Sequence, residues 1–290
     1  MSGGVPNIES SERDDDMIVV AGATGNAGGA TVDALAAAGR DVRAVSRTKR
    51  EWPEGVEGVV GDLNRADSLA PALAGAEAIF LLSGYEGMSQ LLAAARDAGV
   101  DRVVLLSSSA VPGGDTDNAV ARYHIASEQT VKESGLAWTM LQPNSFMTNT
   151  LQWASQLRER DVVRAPFADV AVATIDPADV GAVAAAALVG AGHEGRTYRL
   201  SGPESLLPLD RVRILGDVLG RELRFEGQPD REAREEMSAA MPAEYVDAFF
   251  SFFSDGRLDE SQVLPTVQDV LARKPRTFTQ WASANAAAFR

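Results

Sequence analysis

The chain has 290 residues, 45% hydrophobic and 23% charged, the balance of a soluble globular protein larger than one average domain. Its net charge of −14 argues against a general binder of nucleic acid or anionic membrane. The absence of cysteine excludes disulfide frameworks, thiol catalysis, zinc–thiolate sites and iron–sulfur clusters, and with only two histidines, His124 and His193, no metal site is expected.

Taken in chain order, residues 1–16 are polar and end in Glu12-Arg13-Asp14-Asp15-Asp16. They lack the cationic and apolar blocks of a signal peptide and read as a disordered acidic leader. From Met17 onward short apolar runs alternate with alanine-rich stretches of helical length. Strands are expected at Met17–Ala21, Val42–Ser46, Val56–Val60, Ala78–Leu82, Arg102–Leu106 and Ala137–Leu141. Helices are expected between them, from the glycine-rich turn to Ala38 and over Ala66–Leu73, Met88–Ala98 and Ala119–Glu133. Continuous apolar strands separated by helices predict a parallel sheet covered on both faces, and right-handed crossovers make it doubly wound.

After Pro143 the rhythm breaks. Strand-like pieces at Val170–Ile175, Thr197–Leu200 and Leu223–Phe225 mix with helices at Asp179–Val189, Leu209–Leu219 and Thr277–Phe289. The expected organisation is therefore α/β: a nucleotide-binding domain over residues 17–150 and a smaller carboxy-terminal α+β lobe over 151–290, with some chain crossing back to the sheet. The longest uncharged apolar run, Val180–Gly192, falls well short of the roughly 20 residues a membrane helix needs. The expectation is a cytoplasmic protein, monomer or homodimer, whose partner is a small-molecule substrate rather than nucleic acid or membrane.

Gly22-Ala-Thr-Gly25-Asn-Ala-Gly28-Gly29 follows the first strand and opens the first helix. Gly22 permits the tight turn, Gly25 lets the backbone approach a diphosphate, and Gly28 lets helix and sheet pack closely, so that the first N–H groups of the helix face an anion. Dinucleotide binding is the reading, with Thr24 and Asn26 in the same loop. The second strand ends Ala44-Val45-Ser46-Arg47-Thr48-Lys49-Arg50, without the acid that would select NAD at its tip. Arg47 offers a planar fork for a 2′-phosphate and Ser46 a hydroxyl donor, so NADP(H) is expected. Asp62 and Leu63, after the third strand, stand where an acid could accept from the adenine amino group, although Asp62 could equally cap the next helix. Ser83, after the fourth strand, joins the cofactor set.

These features together resemble the NmrA-like branch of the atypical short-chain dehydrogenases/reductases, on its quinone- and azo-reductase side. The likeness is carried by the Gly22/Gly25/Gly28 loop, Arg47, Gly61-Asp62-Leu63, Ser107-Ser108-Ser109 and Tyr123-His-Ile-Ala-Ser-Glu128. It continues through Gln142-Pro-Asn-Ser-Phe-Met-Thr-Asn149, Asp176-Pro-Ala-Asp-Val-Gly-Ala-Val-Ala184 and Arg276-Thr-Phe-Thr-Gln-Trp281. It implies a Rossmann domain with a small substrate lobe and NADP(H) as ligand.

Ordinary short-chain dehydrogenases pair a serine with Tyr-x-x-x-Lys. Here Tyr123 is followed by Ser127 at that position, and the nearest lysine, Lys132, is nine residues on. The resemblance instead puts His124 where related reductases carry a lysine or histidine, a position suited to proton exchange or to anchoring a ribose hydroxyl. Glu128, one helical turn on along the same face, is placed to orient or charge the imidazole. Tyr123 and Ser109 complete the candidate catalytic set. The resemblance also places Asn144 and Phe146 near the nicotinamide. Phe249 belongs to an aromatic helical stripe with Tyr245 and Phe252 or Phe253, read as core, a lid over a planar substrate or a partner-binding face. Asp259-Glu260 reads as solvated surface. The expected activity is hydride transfer from NADPH to a quinone, enone or related carbonyl. The alternatives are a cofactor sensor with little catalysis and an isomerase or cyclase on the same fold.

Overall fold

The computed structural model describes residues 17–290; the acidic leader lies outside the described residues. Strands β1 (Met17–Val20), β2 (Val42–Ser46), β3 (Val56–Val60), β4 (Ala76–Leu82), β5 (Arg102–Leu106) and β6 (Ala137–Pro143) form the first half. Helices α1 (Asn26–Ala37), α2 (Ala70–Leu73), α3 (Met88–Asp97) and α4 (Ala119–Lys132) alternate with them. The helix expected over 66–73 is instead a 3-10 turn at Ala66–Leu69 followed by the single turn α2, with Pro71 entering at its start.

The second half contributes α5 (Ala154–Glu159), β7 (Val162–Ala165), α6 (Pro177–Val189), β8 (Arg196–Leu200), α7 (Pro208–Leu219) and β9 (Arg224–Gly227). After these come α8 (Asp230–Ala240), α9 (Ala243–Phe253), α10 (Thr266–Leu271) and α11 (Phe278–Ala284). Strand β8 returns to the main sheet and pairs in parallel with β6, from Thr139–Arg196 to Pro143–Leu200. The sheet is thus seven-stranded and parallel, in the order β3-β2-β1-β4-β5-β6-β8, and β7 and β9 form a separate parallel pair. The order reverses between β1 and β4, which opens a crevice outside their carboxyl ends.

Each face of the sheet carries its own core. Val32, Leu35, Val180, Val183 and Leu188 cover one side through α1 and α6, while Leu73, Leu91, Leu92 and Val131 cover the other. Burying each such side chain contributes about 1.5–3 kcal/mol. The lobe has a third core, in which Trp153, Val212, Leu215, Phe278, Trp281 and Phe289 pack together. Two motifs distant in sequence are joined by charge. Arg276 donates to Asp176 at 2.6 Å, and Arg273 and the Arg276 N–H both donate to the fully buried Asp179 at 2.7 Å.

The segment Val170–Ile175 is not a ladder strand. It is extended and buried, but its backbone groups bond to separate loops: Val172 to Leu206, Ala173 to Glu260, and Ile175 to Ser145. Its apolar run reflects burial rather than sheet pairing. The helix expected over 277–289 ends at Ala284, and a 3-10 turn, Ala286–Phe289, carries the chain to its last core residue. Among the described residues no helix is long and apolar enough to cross a membrane.

Candidate active site

The glycine loop sits at the crevice where the strand order reverses. Gly22 takes φ +64°, and a Cβ at Gly28 would overlap the carbonyl of Gly22, so α1 can approach the turn only with glycine there. Gly25 is the N-cap residue and no side chain accepts from the first turn, which leaves those N–H groups for an anion. Thr24 and Asn26 are exposed beside it. Arg47 is exposed at the tip of β2 and forms no salt bridge among the described residues. Tyr85, pushed up to about 12 by burial, is near enough for the Arg47 charge to oppose that rise. Ser46 is buried and donates to the Thr48 carbonyl at 2.8 Å, so its proton is already used. Asp62 accepts from the Asn64 N–H at 3.0 Å in a local turn, Leu63 is buried, and the Ser83 hydroxyl donates to the Leu106 carbonyl at 2.9 Å. A turn that requires glycine at positions 22 and 28, an uncapped helix start and, among the described residues, an arginine without an acid partner fit a nicotinamide dinucleotide.

At the carboxyl ends of β5 and β6 two buried carboxylates gather the polar side chains. Glu128 accepts from Ser107 at 2.6 Å, from Gln142 at 2.8 Å and from Lys132 at 3.4 Å. It therefore does not orient His124 as expected; the helix turns it toward the sheet instead. Glu260 corrects a second expectation, since it is only 4% exposed. It accepts from the hydroxyls of Ser109 and Ser145, each at 2.6 Å, and from the Ser145 N–H at 2.9 Å. Burial nevertheless raises its pKa, the hydrogen bonds opposing that rise. Asn144, also buried, donates to the carbonyls of Glu260 at 3.0 Å and Ala173 at 3.3 Å. Ser109 and Asn144 are thus anchors for the loop that carries Glu260.

Tyr123 and His124 stack with centroids 4.2 Å apart. The Tyr123 ring packs beside Gly84, whose N–H donates to Ser127 at 3.0 Å. Burial, aided by Tyr245, raises the Tyr123 pKa and keeps it a phenol. Burial lowers His124 to about 4, so its imidazole is neutral near pH 7, and its Nδ1 is buried without a partner among the described residues.

A cavity of about 650 Å³ opens from the end of β6 into the lobe. Phe146, Phe167, Phe249 and Phe253 wall it, with Ser145 at the sheet end. This separates the aromatic stripe on α9: Phe249 and Phe253 face the cavity, while Phe250 and Phe252 are core. Phe167 holds a left-handed conformation, φ 57°, with its ring between Phe250 and Phe253 at centroid distances of 5.2 and 5.1 Å. Of the expected substrate residues, Phe146 and Phe249 line the cavity and Asn144 does not; nor do Tyr123, His124 and Ser109. Sequence reasoning missed Glu260, Trp153, Arg164, Arg211 and Gln228 as residues of this region. A cation in the opening turn of a helix, as at Arg211, was the one available signal.

Comparison with known proteins adds the following. Residues 22–189 match a family described as NAD(P)H-binding. The (4-alkanoyl-5-oxo-2,5-dihydrofuran-3-yl)methyl phosphate reductase of Streptomyces griseus is 40% identical over 94% of this chain and 99% of its own. The NAD(P)H azoreductase of Xenophilus azovorans is 33% identical over 94% of this chain and 99% of its own. The NADPH-dependent quinone oxidoreductase of Escherichia coli, solved with NADPH, superposes with a TM-score of 0.75 at 22% identity, covering 92% of this chain and 99% of that one, and so shares the fold.

Proposed function

The chain belongs to the NAD(P)H-binding family and is an NAD(P)H-dependent oxidoreductase, and from that premise we propose that it reduces planar conjugated electrophiles, with NADPH preferred over NADH. The observation that carries this reading is the cavity at the end of β6, whose four phenylalanines suit a flat, conjugated ring. The names of the relatives agree with it: one reduces an acyl-substituted unsaturated lactone and the other an azo compound.

When bound, the nicotinamide supplies the hydride. The chain's residues do the rest. The first-turn amides of α1 would hold the diphosphate and Arg47 the 2′-phosphate. Phe146, Phe249 and Phe253 would hold the acceptor flat and exclude water. The Tyr123 phenol is protonated at neutral pH and, since it does not line the cavity, would pass its proton to the reduced substrate through water. Neutral His124 orients a hydroxyl or its tyrosine neighbour; with a pKa near 4 it stores no proton at neutral pH.

The test is consumption of NADPH and of NADH by the purified protein with a panel of quinones, enones and azo dyes. Turnover of at least one class, faster with NADPH, supports the proposal. Cofactor binding without turnover of any member would favour the sensor, and product formation without net NADPH consumption would favour the isomerase.

A further inference from the structure

Two guanidinium groups line the cavity, and their surroundings differ. Arg164 on β7 is paired with Glu232 and lies 3.7 Å from Glu236, both on α8. Arg211 on α7 forms no ion pair, and its guanidinium no hydrogen bond, among the described residues; its Nε is buried without a partner. The guanidinium lies over the ring of Trp153, 5.1 Å from its centroid. Desolvation alone lowers its pKa, to about 10, so it remains a cation at neutral pH. The neighbouring Asp210 is engaged elsewhere, accepting from the Leu207 N–H at 3.1 Å and lying 3.6 Å from Arg213.

The location compounds the cost. Arg211 falls in the opening turn of α7, where the helix dipole disfavours a cation, and a buried charge without a counter-charge is disfavoured again. Stacking on Trp153 offsets only part of this. The other buried atoms of the cavity lining without partners are the Trp153 Nε1–H, the Gln228 Nε2–H and the hydroxyls of Thr148 and Thr174. All can donate. Among the described residues the cavity therefore holds several unpartnered groups able to donate and, at Arg211, a positive charge with no acid paired to it.

We propose that Arg211 is a specificity-determining anchor for an anionic group on the substrate, phosphoryl or carboxylate, with Trp153 and Gln228 supplying further donors. This rests on the reading of the cavity as the substrate site. The planar part of the molecule would lie toward Phe146 and Ser145, and the anion toward α7.

The test uses the full chain saturated with NADP+, so that Arg47 is occupied, titrated calorimetrically with phenyl phosphate, benzoate and neutral phenol. At least one anion should bind about tenfold or more tightly than phenol, and whichever anion is tighter identifies the headgroup. Arg211→Met should abolish the preference, Arg211→Lys should keep part of it, and Arg164→Met should leave it intact. In turnover assays with an enone alcohol and its phosphate monoester or carboxylate counterpart, Arg211→Met should raise KM about ten- to a hundredfold for the anionic partner only. If wild type binds neither anion better than phenol, the anchor is wrong, whatever the variants do. Equal weakening of charged and neutral ligands in a variant that still binds NADP+ would also overturn it. Arg211-dependent anion binding without turnover of any electrophile would leave the anchor standing and refute the reductase reading of the cavity.

Discussion

Glu260 accepts the hydroxyl proton of Ser109 at 2.6 Å, joining positions 151 residues apart in the chain. The same carboxylate holds Ser145, which lines the cavity, so one buried acid fixes the strand ends and the cavity mouth together. Ser109→Ala removes one of its donors. The expected result is a loss of about 1–3 kcal/mol, read as a Tm lower by several degrees, with turnover kept within a few-fold. An unchanged Tm with turnover reduced a hundredfold would make Ser109 a catalytic hydroxyl instead.

The glycine loop gives a graded prediction. A Cβ at Gly25 would sit 3.3 Å from the Gly22 carbonyl oxygen, a contact that small adjustments relieve, whereas one at Gly28 would overlap that carbonyl outright. Gly28→Ala should weaken NADPH at least about tenfold by fluorescence titration and lower Tm, because α1 must move off the turn. Gly25→Ala should cost several-fold less. Equal affinities in the two variants would contradict this geometry.

Arg47 is solvent-exposed, so its replacement should leave Tm nearly unchanged. Arg47→Ala should weaken NADPH about tenfold and NADH hardly at all, and Arg47→Glu should reverse the preference. A parallel loss for both cofactors would mean that Arg47 does not hold the 2′-phosphate.

His124 supplies the pH dependence. Its pKa, about 4 in the folded chain against 6.5 for a free histidine, means that the unfolded chain takes up a proton first as pH falls. Stability is therefore full above about pH 6.5 and declines as pH falls toward 4, by up to about 3 kcal/mol from this group. His124→Gln should lack that component, so its stability relative to wild type should improve over this window in denaturant melts. The kcat/KM profile should likewise show no step near pH 6.5 that His124→Gln removes.

The dinucleotide half was legible in the sequence because β1, β4 and β5 are short apolar runs buried in the middle of the sheet, and β2, β3 and β5, including the largely exposed border strand β3, fall at their expected bounds. The lobe was less so, for identifiable reasons. Helix α8 buries only Ala233, so no apolar stripe announces it. Val170–Ile175 has the composition of a strand, yet its partners are loops. Glu260 follows Asp259 in a polar stretch, and only the folded chain reveals that one acid is exposed and the next enclosed. The glycine turn and Arg47 follow from local spacing. The pairing of Arg211 with Trp153 depends on elements 58 residues apart meeting in space, which no local pattern encodes.

The seventh strand has a consequence for the ancestry and engineering of such chains. Because β8 is stitched along β6, a gene cut anywhere between codons 144 and 195 would strip the sheet of its border and expose Thr139–Pro143 as a raw edge. The lobe cannot be swapped as a cassette at a single junction. Exchanging its specificity requires grafting the cavity wall piecemeal, and recombination between relatives should tolerate crossovers before Ala137 or after Leu200 far better than those between.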